Sequence, residues 1–322
     1  MSSTVTPIAA PGRPLARAIP AERKGFSQGK RRLTSPGATI GAAIIALLWT
    51  IPTLGLFVSS FRPAAEINTS GWWTIFTKPE LTVDNYIKTI GFGDTVSVGQ
   101  SFINSFAISL PATVFPIVIA ALAAYGFAWV DFRGKNILFI AVVAMQIVPL
   151  QMALVPLLKL FSNGVTIGGF ALLPGLNLNN VQASFAQVWI AHTIFALPLA
   201  IFMLHNYIAS IPRDIIEAAR VDGAGHGQMF FRIVLPLTTP AIASFAILQF
   251  IWVWNDLLVA TIFTSGDNLP ITKVLNDLSG QYGSSWYLLT AGTFLAIIVP
   301  LIVFFALQRF FVRGMLAGAT KG

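Results

Sequence analysis

Long stretches of this chain carry no Asp, Glu, Lys or Arg, among them Leu33–Phe61, Thr95–Val130, Asn136–Leu158 and Leu160–Pro212. A helix needs roughly 20 apolar residues to cross the hydrocarbon core of a bilayer, so each gap is long enough to hold a span. Only 10% of the 322 residues are charged and 55% are hydrophobic, whereas a soluble domain carries about 25% charged residues. Charge inside a bilayer is costly, which accounts for the deficit. The expected fold class is all-α, a polytopic membrane protein with six transmembrane helices.

The six spans are expected at about 38–61, 102–129, 137–159, 183–207, 241–264 and 286–308. Pro111, Pro116, Pro149, Pro156, Pro198 and Pro300 fall inside them and predict kinks. Residues 1–37, rich in Pro, Ser, Gly, Arg and Lys, are expected to be a disordered basic cytoplasmic arm. The first apolar run begins too late and runs too long for a cleaved signal peptide. Gly25–Arg31 imitates a phosphate loop, but its spacing is one residue short and no Ser or Thr follows the lysine. Residues 62–100, 162–182 and 266–285 read as external segments. In the first of these, Trp72 and Trp73 suit either a membrane interface or the packing of a small external cap.

An even number of spans puts both termini on one side. That side would hold 15 Lys and Arg residues and the other side 5. The asymmetry places both termini in the cytoplasm. It also makes the net charge of +8 a topology signal and not a nucleic-acid footprint. There is no cysteine, and the three histidines have no metal-ligand spacing. With no Gly-x-Ser-x-Gly, no His-Glu-x-x-His and no sound phosphate loop, the chain is not expected to be an enzyme or to bind a cofactor itself.

The segment at about 210–240 is the charged interval between the fourth and fifth spans. Ser210 is expected to cap a helix with Pro212 at its first position, and Asp214 and Glu217 suit its positive end. Ile211, Ile215, Ile216 and Ala219 give it an apolar stripe. Gly223 is expected to end it with positive φ. A second short helix, about Ala224–Val234, would carry Met229, Phe230 and Ile233 and end at Pro236. Such a loop is suited to pressing on a soluble partner.

The fifth span carries Gln249, Trp254, Asn255 and Asp256, and Asp256 is the one acidic residue within any expected span. An intramembrane carboxylate points to function. Polar groups for hydroxyls and aromatic faces for C–H surfaces together suit a sugar. The same residues can instead bond across helices and hold the bundle. His192 and Gln187 in the fourth span have the same two readings.

The residues Glu217-Ala218-Ala219, Asp222-Gly223-Ala224, Phe230, Ile233, Leu235-Pro236 and Pro240 resemble the Glu-Ala-Ala loop of ABC importer permeases. Asn104-Ser105, Trp254-Asn255 and the ending Gln308–Gly314 with Ala317–Gly322 are similar to carbohydrate permeases of the maltose type. The run Trp254–Ala260 is most similar to the alpha-glucoside permeases. The resemblance covers about Ala38–Gly322 and implies the type I importer permease (MetI-like) fold.

It further implies that the coupling loop docks on an ATPase through Glu217, Ala218, Ala219, Asp222, Gly223, Ala224 and Phe230. The tail at 309–322 would touch the ATPase pair through Gly314, Gly318 and Lys321. Gln281, Tyr282 and Gly283 would enter an extracytoplasmic sugar-binding protein. Gln249, Trp254, Asn255 and Asp256 would border the substrate path, although most sugar contacts in the maltose system come from the partner permease. The implied partners are a second homologous permease and two ATPase subunits, which bind ATP and Mg, in the cell (inner) membrane. The implied cargo is an oligosaccharide such as maltose or trehalose. A lone secondary transporter would need more intramembrane carboxylates than Asp256 and leaves the loop unexplained. A static scaffold fits poorly with so many kinking prolines.

Overall fold

A computed structural model describes residues 36–91, 97–167, 170–173, 175, 181–281 and 285–319. The chain forms two compact units, residues 1–54 and 55–322. The first is described from Pro36 onward, as the larger part of helix α1 (Pro36–Ser60). The expected arm at 1–35 lies outside the described residues.

In the second unit, α2 (Ala64–Thr69), a 3-10 turn (Trp72–Phe76) and α3 (Asp84–Ile90) follow the end of α1. The guanidinium of Arg62 is buried and organises this cap by donating to the carbonyls of Glu66 and Ser70 and to the hydroxyl of Thr74. Trp72 packs against Gly55, whereas Trp73 is exposed.

Next come α4 (Val98–Trp129), α5 (Lys135–Ala144), α6 (Leu150–Asn163) and a hairpin of β1 (Val165–Ile167) and β2 (Phe170–Leu173). Then follow α7 (Val181–Ile208), α8 (Arg213–Val221), α9 (His226–Met229), α10 (Leu235–Trp254), α11 (Leu258–Phe263), α12 (Ile271–Gln281) and α13 (Trp286–Ala319). The class is helical, and the hairpin is the only β structure among the described residues.

Five helical segments are long and apolar enough to cross a membrane, and α5 with α6 makes a sixth if the bent pair counts as one span. That third span is not continuous: its halves meet at 104°. Val148 is extended (φ −71°, ψ 119°), as a residue before proline tends to be, and Pro149 restarts the helix. The sixth helix runs on through the expected tail to Ala319.

α4 and α7 approach closely through buried Ala112, Ala120, Ala121 and Ala124 on one side and Ala191, Ala196 and Ala200 on the other. Small residues let helix backbones come together where lipid gives no hydrophobic drive.

α4 and α13 continue through their prolines, and the reason is specific. A proline leaves the carbonyl four residues earlier without its amide partner. Pro111 frees Ala107, whose oxygen accepts the indole N–H of Trp189 from α7 at 2.9 Å. Pro116 frees Ala112, whose oxygen accepts the amide of Gln249 from α10 at 3.2 Å. Pro300 in α13 frees Ala296, whose oxygen accepts the indole N–H of Trp254 from α10 at 3.0 Å. Each of these three orphaned acceptors is thus met by a neighbouring helix.

Candidate coupling loop and substrate cavity

The loop between α7 and α10 is built on a complete C-terminal cap. The N–H of Ala224 bonds to the carbonyl of Ala219 at 2.9 Å, and that of Gly223 to Arg220 at 3.0 Å. These are the two bonds of a Schellman motif, which needs a left-handed residue between them. Gly223 supplies it at φ +81°. The Asp-Gly-Ala sequence therefore has a local physical cause.

The start of α8 differs from expectation. Ser210 does not cap it; its hydroxyl turns back to the carbonyl of Tyr207 at 2.7 Å. Pro212 is itself the N-cap, with ψ 132°, so the helix begins one residue later. Pro236 does not end the second helix either. α9 passes through a π turn at Phe230–Val234 straight into α10. The carbonyl that the Pro236 ring would strike belongs to Arg232, and the wider π turn contains that residue.

Of the expected docking residues, Glu217, Ala218, Asp222 and Gly223 are exposed and Ala224 is half-buried. Ala219 and Phe230 are buried, together with Ile208, Ile211, Ile216, Met229 and Val234. They form the apolar footing that holds the loop down. Val221 and Phe231, which the motif does not include, are exposed. Asp214, Glu217, Ala218 and Val221 recur at helical spacing opposite Ile216, a signal that identifies this outward stripe.

Two bonds tie the loop to the end of α4. Arg220 donates to the carbonyl of Trp129 at 3.2 Å, one of the unpaired acceptors at that helix end. The hydroxyl of Tyr125 lies 2.9 Å from Nδ1 of His226, and its ring packs edge-on against Phe230.

The fifth span is also interrupted, at 255–257, where a continuous helix was expected. Asn255 donates its side-chain amide to the carbonyl of Ile251 at 2.8 Å, and the carboxylate of Asp256 accepts the N–H of Ala260 at 3.0 Å. One side chain closes α10 and the next opens α11. Asn and Asp compete in this way with the helix backbone.

Beside this break lies a cavity of about 280 Å³ lined by Leu150, His192, Phe195, Ala196, Gln249, Trp252, Val253 and Asp256. The structure brings Gln249 and Asp256 to it but not Asn255 or Trp254. Trp254 is 2% exposed and packs against Phe102, Phe106 and Phe250, so it is a core residue and does not line this cavity. His192 does line it, with Nε2 3.8 Å from Oδ2 of Asp256. Gln187 is buried away from it.

The family model for binding-protein-dependent transport system inner membrane components matches residues 116–317, well over half of the chain. The chain belongs to that family.

The permease is 48% identical over 287 residues to the osmoprotective compounds uptake permease protein GgtD of Synechocystis, covering 88% of this chain and 91% of that one. It is 49% identical over 302 residues to the alpha-glucoside transport system permease protein AglG of Rhizobium meliloti, covering 92% and 76%. Among solved structures, a bacterial ABC transporter involved in import of the acidic polysaccharide alginate superposes with a TM-score of 0.66. The match covers 88% of this chain and 98% of that one at 18% identity, a likeness of fold.

At the far end of α4, Asn104 of the permease donates to the carbonyls of Asp267 and Leu269, at 2.6 and 3.1 Å. The hydroxyl of Ser105 accepts the N–H of Ile271 at 2.9 Å. This pair clamps the segment leading into α12, whose Ile271, Val274, Leu275 and Leu278 are buried. Gln281 is the last residue of α12, whereas Tyr282 and Gly283 lie outside the described residues. Gly314 and Gly318 fall within α13, and Lys321 lies outside the described residues.

Proposed function

We propose that this permease carries a neutral alpha-glucoside, such as maltose or trehalose, delivered by an extracytoplasmic binding protein and driven by two copies of a separate ATPase. The observation that carries the reading is the capped loop: α8 and Gly223 present Glu217, Ala218 and Asp222 outward from a buried apolar footing. A rigid knob of this kind transmits force without absorbing it, and nucleotide closure of the ATPase would bias the bundle between two states. ATP and Mg would be bound by the ATPase, with a second homologous permease completing the pore. Gly314, Gly318 and Lys321 would lie against the ATPase pair, and Gln281–Gly283 against the binding protein. Both termini would be cytoplasmic.

The choice of cargo rests on relatives whose names include an alpha-glucoside permease and the trehalose transport system permease protein SugB of Mycobacterium tuberculosis, 33% identical to this chain. A strain lacking this chain, given a panel of labelled saccharides, is expected to lose uptake of alpha-glucosides and to recover it with the gene restored. Undiminished alpha-glucoside uptake would refute the cargo. Protease cleavage of residues 217–240 from outside intact cells would refute the orientation.

A further inference from the structure

We propose that the cavity between α7 and α10 is a ligand subsite for one or two neutral sugar rings, and that Asp256 makes it reject anionic saccharides. The proposal rests on the reading of the permease as a sugar carrier.

The wall of the cavity is rich in acceptors. Asp256 spends Oδ2 on the N–H of Ala260, and its Oδ1 has no hydrogen-bond partner among the described residues. Gln249 spends its amide N–H on Ala112, which leaves its carbonyl oxygen as an acceptor. His192 faces Asp256 at 3.8 Å, beyond hydrogen-bond reach, so a ligand hydroxyl between them can serve both. Hydroxyl groups are the natural donors to such a set. Trp252 is exposed on the same wall and offers a flat apolar face to the C–H side of a ring, with Phe195 nearby.

The charge balance sets the selectivity. The cavity is lined by one carboxylate and by no Lys or Arg. An anion entering it meets the Asp256 carboxylate in a medium that screens poorly, and no Lys or Arg among the lining residues offsets it. Size sets the length: about 280 Å³ is at the lower limit of ligand pockets, which run from roughly 300 to 1,000 Å³.

The test uses the complete importer in lipid nanodiscs, with maltose and a uronate-bearing disaccharide as probes. Binding is read by tryptophan fluorescence and isothermal titration, and ATP-driven uptake is read in proteoliposomes. The wild-type complex is expected to bind maltose at least about tenfold more tightly than the uronate. Asp256→Asn, which keeps an oxygen for the Ala260 N–H, should bring the two within about threefold by strengthening uronate binding. Trp252→Ala should weaken both probes, and Trp252→Phe should restore maltose binding. Unchanged discrimination in Asp256→Asn, or unchanged maltose affinity in Trp252→Ala, overturns the subsite. So does uptake of maltose with no measurable binding to the importer. A wild-type complex that moves no saccharide of either charge overturns the underlying sugar reading instead, so the two failures are distinct.

Discussion

Substitution of Gly223 measures how much the outward loop depends on one left-handed residue. Its φ of +81° is reached at little cost by glycine. An ordinary L-residue in that region costs about 1–2 kcal/mol, and asparagine less. A β-carbon built at Gly223 meets no heavy atom within 4 Å, so the cost within the chain is backbone strain alone. A penalty of that size shifts a two-state population by a factor of about 5–30. Gly223→Ala is therefore expected to weaken docking of the ATPase by about 5–30-fold. Gly223→Val should weaken it more, since β-branching sits poorly at positive φ, and Gly223→Asn should weaken it least. Titration of the purified ATPase against the permease pair in nanodiscs reads the series directly. A loss for alanine that exceeds its effect on thermal unfolding would place the added methyl against the ATPase. Equal affinities across Asn, Ala and Val would refute the argument, because they would mean that docking does not need this turn.

Gln249→Leu leaves the carbonyl of Ala112 unpaired beside Pro116 and is expected to cost about 0.5–2 kcal/mol in thermal or denaturant unfolding. No change in stability would mean that the bond contributes nothing. Tyr125→Phe deletes the bond to His226 while keeping the ring against Phe230. It should lower solute moved per ATP hydrolysed and leave ATPase docking intact; an unchanged ratio would exclude a role in coupling. The Lys78 ammonium, and beyond it Ser70 and Arg62, hold the carboxyl of Glu66 below its ordinary value of 4.5. A depressed carboxyl adds stability above that ordinary value and loses it as the pH falls through the lower folded value. Protection factors for amide exchange in residues 62–78 should therefore fall below about pH 4.5, and Lys78→Met should flatten the dependence.

Much of this architecture is legible in the sequence because it is local. Charge-free runs mark the spans, and the Asp222-Gly223-Ala224 turn follows from glycine's access to positive φ. The burial of Ala219 and Phe230 was not legible, because a motif gives positions, whereas burial depends on which helix face meets the core. The break at Asn255 and Asp256 was hidden by the apolar residues on both sides, although two adjacent helix-competing side chains are themselves a signal. The pairing of His192 with Asp256 is visible only once α7 and α10 lie together. Gln249 and Trp254 each fill a structural role that was hidden for a related reason. The carbonyls they satisfy are exposed by prolines on other helices, and a sequence names the proline but not the donor.

Those three donor–proline pairs carry a consequence for how such a bundle can change over generations. An alanine at Pro111 would restore a backbone amide for the oxygen of Ala107, which the indole of Trp189 would then have to share. Losing the indole first would strand the oxygen instead. Neither substitution is neutral by itself, so drift at one member constrains the other, and the helix-breaking residues become anchors of ancestry as well as of shape.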